Sequence, residues 1–279
     1  MRNIGIIARY EVGRLIRSTG GVLFLALAVT IYAYVTIKLV KWAAEFKSAS
    51  DLAAGDPGAN VLTGAIGWLV DIEPGQLNTL IAKHPPFALV FFFVALAVNP
   101  LLAILGTSDQ TASDIQTRNI RYLLLRTDRG SLFWGKVLGS LVFYGLSMAL
   151  LCGIIAGLST WAGASTVGDL LYFGRIWLTL TVFALPFIAL NAFSGALTGH
   201  PGLALITTLG YYMVVWLIST VGGWTSDKAE YIQYLSPSAF KYELATDSLE
   251  VLGKAVAHMA IVTTLALGLG VTYFKRRDV

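Results

Sequence analysis

The sequence predicts an all-α membrane protein with six transmembrane helices, and three observations support this prediction. Of the 279 residues, 56% are hydrophobic and only 13% are charged, and the mean hydropathy is +0.70. A soluble domain, by contrast, has about a quarter of its residues charged. Six stretches are apolar over the roughly 20 residues that a helix needs to cross a bilayer. None of the six alternates polar and apolar residues, as the strands of a membrane β-barrel do.

The chain is predicted to form one transmembrane domain over residues 1–279. An amphipathic elbow helix is expected over residues 1–18, and a cytoplasmic segment that holds a coupling helix is expected over 107–136. The segments 41–85 and 223–254 are predicted to be outer loops. The predicted spans are 20–40, 86–106, 137–161, 176–198, 202–222 and 255–274.

The distribution of basic residues predicts the orientation of the chain. With the N-terminus in the cytoplasm, the inner segments contain twelve Lys or Arg and five Asp or Glu, and the outer segments contain eight and eleven. Cytoplasmic loops carry an excess of Lys and Arg. Both termini are therefore expected in the cytoplasm.

Composition and spacing also disfavour several classes of function. The charge is too sparse for the surface of a soluble enzyme, for a disordered chain or for a nucleic-acid-binding module. The single cysteine, Cys152, leaves no disulfide framework or cysteine-based metal cluster. The three histidines are scattered without metal-ligand spacing, and no catalytic set can be placed on one face. We therefore expect no catalytic residue, metal or cofactor in this chain.

One stretch, Gly130 to Val137, almost matches the phosphate-binding P-loop pattern. Val137 replaces the hydroxyl that would bind Mg²⁺, and the bulky Phe133 and Trp134 stand where amides would have to wrap a phosphate. Gly135 and Gly139 are better explained as a small-residue contact between helices. The sequence therefore does not predict ATP binding here.

The first eighteen residues have a basic face and an apolar face. Ile4, Val12, Leu15 and Ile16 cluster on one side of a helical wheel, opposite Arg2, Arg9 and Arg17. Such a helix lies among the lipid headgroups. Two interpretations stay open: a basic flank on anionic lipid, or a helix that also contacts a cytoplasmic subunit.

Residues 107–136 are too polar to cross the membrane and too long for a turn. Asp114 and Arg118 stand four residues apart, the spacing of a helical ion pair. A leucine-rich ridge, Tyr122 to Leu125, follows between arginines. The segment suits a groove on a soluble partner, and it suits the surface of the inner leaflet equally well.

Polar residues inside the predicted spans are few. Asn99, Pro186 and Asn191 indicate kinks or contacts between helices, and they are the candidates for a translocation interface. The deep parts of the spans contain no acidic or basic residue, which disfavours a proton-relay carrier.

Several short motifs occur along the chain in a definite order. In that order they are Ala8-Arg9-Tyr10-Glu11, Asp114, Leu123-Leu124, Arg129, Gly135-Lys136, Leu235-Ser236-Pro237 and Phe274-Lys275-Arg276-Arg277-Asp278. Over nearly the whole chain this order resembles the membrane subunit (permease) of type 2 ABC transporters, which are mostly bacterial exporters. The chain departs from the family where Arg118-Asn119 replaces a Gly-Thr pair and Arg126 replaces a proline.

The resemblance implies a function and a set of partners. It implies two membrane subunits, identical or homologous, in the bacterial inner membrane, bound to a cytoplasmic dimer of ABC ATPase subunits that bind ATP and Mg²⁺. ATPase-coupling contacts are expected at Asp114, Arg118, Arg121, Leu124 and Arg129, and elbow-helix contacts at Arg9 and Glu11. The other interpretations are a membrane-embedded scaffold or signalling subunit that recruits cytoplasmic proteins without transport and, third, an intramembrane enzyme. No nucleic-acid partner is expected.

Overall fold

The computed structural model describes residues 2–52, 80, 83–163, 165–223 and 227–277. Throughout these residues the chain is helical, with turns and no strand. Besides the longer helices, the described residues form an amphipathic helix at the start of the chain and two short helices. The α-helices are α1 (Arg2–Arg17), α2 (Thr19–Leu52), α3 (Pro86–Thr107), α4 (Ala112–Gln116), α5 (Ile120–Leu124), α6 (Arg129–Trp161), α7 (Leu170–Thr198), α8 (Pro201–Gly223) and α9 (Leu249–Arg276).

Six of these helices, α2, α3, α6, α7, α8 and α9, are long and apolar enough to cross a membrane. The prediction of an all-α multi-pass membrane protein is therefore confirmed. The part of α2 that meets this criterion is Thr19–Val40, which agrees with the predicted first span.

Four helix boundaries differ from the predicted ones by six residues or more: the end of α2 and the starts of α6, α7 and α9. Helix α2 continues to Leu52, so residues 41–52 are helical rather than loop. Helix α6 begins at Arg129 and α7 at Leu170, eight and six residues before the predicted starts. The early start of α6 has a local cause, because the Asp128 carboxylate accepts a hydrogen bond from the Ser131 amide (2.8 Å) as an N-cap. Of the predicted loop 41–85, residues 53–79 and 81–82 lie outside the described part.

In the second predicted loop, 223–254, the described residues form two short 3₁₀ helices, Asp227–Leu235 and Tyr242–Ala245, before α9 begins at Leu249.

Helices α3 and α7 form the centre of the bundle. They are the most buried of the six spans, and α7 packs against α3, α6, α8 and α9. Both are hydrophobic all round, as a helix surrounded by other helices should be. The largest fully buried rings on them are Phe91, Phe183 and Phe187. Helix α2 packs on α3, and α1 packs along the first half of α6.

The two ends of the bundle differ in charge. At one end, here called the basic end, α1 contacts α6 and the chain between α3 and α6. At the same end the start of α6 contacts the C-terminus of α9, which in turn contacts the C-terminus of α7. The Lys and Arg residues whose side chains are described there are Arg9, Arg14, Arg17, Arg118, Arg121, Arg126, Arg129, Lys136, Lys275, Arg276 and Arg277. They outnumber the four acidic residues that the structure describes at this end, Glu11, Asp109, Asp114 and Asp128.

Candidate functional site

The candidate site lies at the basic end, on the segment that joins α3 to α6. This segment, residues 108–128, is here called the connector; it contains α4 and α5. It is fixed to the rest of the chain by charged side chains on one side and by apolar side chains on the other.

Four ionisable side chains form a buried ion cluster between α1, α4 and α6: Glu11, Arg14, Asp114 and Lys136. Glu11 and Lys136 are 1% and 2% exposed, although both are charged residue types. The Lys136 Nζ atom contacts Asp114 Oδ2, lies 3.4 Å from Glu11 Oε2 and donates to the Gln110 carbonyl at 2.9 Å. Two acids and two bases make the cluster neutral, which is the condition for burying charges.

Arg14 extends the cluster to the connector backbone. Its guanidinium pairs with Glu11 and donates to the carbonyl oxygens of Asp109 (2.9 Å) and Gln110 (3.1 Å). Burial lowers the pKa of Arg14, but the hydrogen bond and the charge of Glu11 outweigh burial, and the pKa lies above its ordinary value. Arg14 therefore stays charged and holds α1 against the start of the connector.

Two glycines let α1 lie directly on α6. A Cβ atom on Gly135 would lie 2.7 Å from Ile7 Cβ, and one on Gly139 would lie 2.5 Å from Glu11 Cβ and 2.9 Å from the Ala8 carbonyl. Real Cβ atoms do not approach other atoms so closely. The predicted small-residue contact at these glycines is confirmed, and its partner is α1.

The apolar attachment of the connector is formed by one face of α5. Ile120 is fully buried, and Leu123 and Leu124 pack beside it in a small apolar cluster that includes Phe133 of α6 and Phe274 of α9. The spacing i, i+3, i+4 places these three side chains on one face of the helix.

The opposite face of α5 is exposed. Tyr122 and Leu125 are 75% and 82% exposed, and Arg118, Arg121 and Arg126 are exposed around them. These five residues are here called the connector patch. The patch joins two large apolar side chains with three positive charges on a segment whose other faces are fixed to the bundle.

Two arginines beside the connector join α6 to α9 and α9 to α7. Arg129 Nη1 donates to the carbonyl oxygens of Lys275 (2.8 Å) and Arg277 (2.6 Å) at the C-terminus of α9. Arg277 in turn donates to the carbonyls of Ala196 (2.6 Å) and Leu197 (3.0 Å) at the C-terminus of α7. Both arginines satisfy carbonyls that a helix leaves unpaired at its end.

The five predicted coupling residues therefore have different surroundings. Arg118 and Arg121 are exposed on the connector patch. Asp114 lies in the ion cluster, Leu124 faces the small apolar cluster, and Arg129 holds the end of α9. Sequence reasoning missed Tyr122 and Leu125 as exposed residues, although the helical spacing from Ile120 indicates that they face outward.

The predicted ion pair between Asp114 and Arg118 is wrong. The helix breaks between α4 and α5, and Arg118 adopts a left-handed backbone conformation with φ of 59°. The two residues therefore do not share a helical face, and Asp114 pairs with Lys136 instead.

The predicted elbow residues are also placed differently from one another. Arg9 is exposed, on the face of α1 turned away from α6, whereas Glu11 is enclosed in the ion cluster. Arg9, Arg14 and Arg17 line a shallow cavity of about 660 Å³ beside α1. On geometry, Arg9 is the one of the two predicted residues that a partner could reach.

Asn99, Pro186 and Asn191 lie inside the chain, at the contact between α3 and α7. The Asn99 side chain donates to the Leu180 carbonyl (3.0 Å) and accepts from the Tyr144 hydroxyl. Asn191 donates to the Ile104 carbonyl (2.7 Å) and to Thr107 Oγ1 (2.9 Å). These contacts hold two helices together; a role in translocation stays a prediction.

At the opposite end of the bundle, Asp247 joins three segments. Its carboxylate accepts from Arg175 Nη1 (2.6 Å) and lies 3.2 Å from His84 Nε2. The hydrogen bond from Arg175 lowers the pKa of Asp247, burial opposes this, and His84 lowers it further, so that it lies below its ordinary value of 3.8. The start of α7 is thereby tied to the residues before α3 and before α9.

The residues that resemble a P-loop, Gly130 to Val137, lie in the first turns of α6. A P-loop binds phosphate with the free amides of a loop, whereas here the Ser131 and Leu132 amides donate to the Asp128 carboxylate and carbonyl, and the later amides are bonded within α6. Among the described residues, no group of three His, Cys, Asp or Glu side chains is placed to hold a metal ion.

Comparison with known proteins identifies a family but no function. A family model described as a protein of unknown function (DUF2705) matches residues 68–279. The match includes the connector and five of the six spans, α3 and α6 to α9. No curated protein matches the chain.

Proposed function

We propose that this chain, which belongs to the DUF2705 family, is the membrane-spanning subunit of an ATP-driven transporter, an exporter, that works with a separate cytoplasmic ATPase. The observation that supports the proposal best is the connector patch. It places exposed leucine, tyrosine and arginine side chains on and beside a short helix, α5, whose other face packs in an apolar cluster with three spans.

The chemistry of the patch suits an acidic groove with an apolar floor. Arg118, Arg121 and Arg126 would face carboxylates, while Tyr122 and Leu125 would bury apolar surface. Aromatic and arginine side chains are the residue types that contribute most to protein–protein contacts. Because the chain resembles type 2 ABC permeases, we expect this groove to be the cleft of an ABC ATPase.

The rigid attachment of the patch is what a transporter subunit requires. A movement of the ATPase can tilt spans only if the contact segment moves with them. The connector is held to α1 and α6 by the ion cluster and to α6 and α9 by the apolar cluster around Ile120. A push on the patch would therefore reach several helices together.

The proposal includes an orientation and an assembly. The basic end faces the cytoplasm of a bacterium, following the excess of Lys and Arg in cytoplasmic loops, and the chain lies in the inner membrane with both termini inside. Two copies, or this chain with a homologue, pair around the path. ATP and Mg²⁺ bind only to the ATPase subunits.

Purification of the affinity-tagged chain from the membranes of its own organism tests this function. We expect an ABC ATPase to copurify and the complex in nanodiscs to hydrolyse ATP, whereas the isolated chain does not. Arg118→Glu combined with Arg121→Glu reverses two charges of the patch. It should reduce the amount of retained ATPase about tenfold or more, as expected when like charges face each other across an interface.

Arg276→Glu is the matched control, because Arg276 is an exposed arginine of the same end outside the patch. The control should retain the ATPase. Normal ATPase retention and turnover in the double variant, or ATP hydrolysis by the isolated chain, would contradict the proposal. Copurification of cytoplasmic proteins without an ATPase would favour a scaffold or signalling subunit instead.

A further inference from the structure

We infer that the ion cluster makes α1 and the connector a single rigid body, and that Lys136 and Glu11 are positioning residues for the ATPase contact. The role of the rigid body in coupling rests on the proposed function; its existence does not. Neither residue lies on the exposed surface, so neither acts by touching a partner.

The contacts of Lys136 join three separate elements. Its ammonium group, on the second turn of α6, lies within 3.4 Å of Glu11 on α1 and contacts Asp114 on α4. The same nitrogen donates to the Gln110 carbonyl at the start of the connector. All three hydrogens of an ammonium group can therefore be used, each toward a different part of the site.

The burial of this lysine needs an explanation that packing alone does not supply. Moving a charge out of water is costly, and a buried ion pair is often no more stabilising than an apolar contact of the same volume. A set of opposite charges does, however, favour one arrangement over those that leave a charge unpaired. At this position the arrangement favoured is α1 seated on α6 with α4 against both.

The neighbouring contacts restrict movement further. The Gly135 and Gly139 contacts bring the backbone of α1 against α6, so α1 cannot slide without collision. Arg14 adds hydrogen bonds from α1 to the Asp109 and Gln110 carbonyls. Because α2 follows α1 after Ser18, a displacement of the connector would reach both α2 and α6.

Distance measurement between two spin labels tests the rigid body without any ATPase. The single cysteine, Cys152, is buried and is replaced by alanine; cysteines are then introduced at Arg17 on α1 and Tyr122 on α5, which are both exposed. In detergent or nanodiscs we expect one narrow distance distribution. Lys136→Met should remove the narrow peak and leave a broad distribution.

A second variant covers the case in which Lys136→Met folds poorly. Asp114→Asn combined with Lys136→Met removes the link but leaves Glu11 paired with Arg14, so no buried charge is uncompensated. The melting temperature should fall by about 10 °C in Lys136→Met, and by clearly less in the double variant. If Lys136 only filled space, the double variant would show the larger fall in melting temperature, because it carries one more substitution.

Lys254→Met is the matched control. Lys254 also forms a Lys–Glu pair, with Glu250 (2.8 Å), but this pair is exposed on α9. The control should leave the distance distribution and the melting temperature unchanged. A narrow distribution in both Lys136 variants would overturn the rigid body, whether or not an ATPase is found.

The positioning role of Lys136 is tested separately, by ATP hydrolysis in the complex. In the ATPase complex, both Lys136 variants should keep the exposed connector patch and still retain the ATPase, but lose most of the dependence of ATP hydrolysis on the membrane subunit. Wild-type coupling in a variant with a broad distance distribution would overturn the positioning role. Absence of an ATPase would instead contradict the proposed function.

Discussion

At the scale of single residues, Asp247 offers a test that depends on pH. Arg175 and His84 hold the pKa of its carboxyl group below the ordinary value of 3.8, so ionised Asp247 stabilises the folded chain. Since the group is partly exposed, Asp247→Asn should lower the melting temperature by only about 2 °C at pH 7. Thermal denaturation in detergent measures the difference.

The sign of the pH dependence follows from the lowered pKa. A carboxyl group with a lower pKa in the folded state contributes stability above its unfolded pKa and loses it as the pH falls through the folded value. The difference in melting temperature between wild type and Asp247→Asn should therefore be complete well above the unfolded pKa, and it should decrease as the pH falls through the folded pKa, which lies below 3.8. In a chain that already carries Arg175→Met, Asp247→Asn should change the melting temperature little. If the two substitutions instead lowered the melting temperature by the sum of their separate effects, the Arg175–Asp247 pair would contribute nothing to stability.

The surroundings of individual site residues were only partly predictable from the sequence. The exposure of Arg118 and Arg121 follows from their charge alone, and the outward direction of Tyr122 and Leu125 follows from helical spacing. The pairing of Lys136 with Glu11 does not, because those residues are 125 positions apart and meet only through the packing of α1 on α6. Local spacing instead suggested Arg118 as the partner of Asp114, which the break before α5 prevents.

At the scale of helices, the contact of α1 with α6 depends on the absence of a side chain at Gly139. Gly139→Ala would place a Cβ 2.9 Å from the Ala8 backbone, which cannot rotate away as a side chain can. Overpacking of this kind costs about 1–3 kcal/mol. We expect the melting temperature to fall by roughly 3–10 °C, measured by size-exclusion chromatography after heating.

Gly153, on the same helix, is the matched control for this substitution. A Cβ there meets nothing within 4 Å, and alanine is the better helix former. Gly153→Ala should leave the melting temperature unchanged or raise it slightly. Equal effects of the two substitutions would mean that α1 does not rest on α6 as described.

Helix boundaries were harder to predict than the spans themselves, for a physical reason. Hydropathy marks the part of a helix that crosses lipid, and α2 continues beyond Val40 through residues that include no glycine or proline before Gly55. Helix α6 starts in the polar segment because Asp128 caps it. The apolar runs of α3 and α8, which end at turn signals, were predicted to within one residue.

At the scale of the whole molecule, function depends on which side of the membrane the basic end faces. The connector patch lies at this end, and ATP-hydrolysing partners occur only in the cytoplasm. The excess of basic over acidic residues around α1, the connector and the C-terminus of α9 predicts that this end is inside. The opposite end, with Asp247 and the α6–α7 connection, is then outside.

Cysteine labelling in intact cells tests this orientation. In the Cys152→Ala background, a cysteine replaces either Arg121 on the connector patch or Thr166 between α6 and α7; both positions are exposed, and they lie at the two ends of α6. A membrane-impermeant maleimide should label the cysteine at position 166 in intact cells. It should label the cysteine at position 121 only after the membrane is opened, because the charged reagent cannot cross the hydrocarbon. The reverse pattern would place the connector outside the cell, where neither an ATPase nor ATP is present, and the coupling function would fail with it.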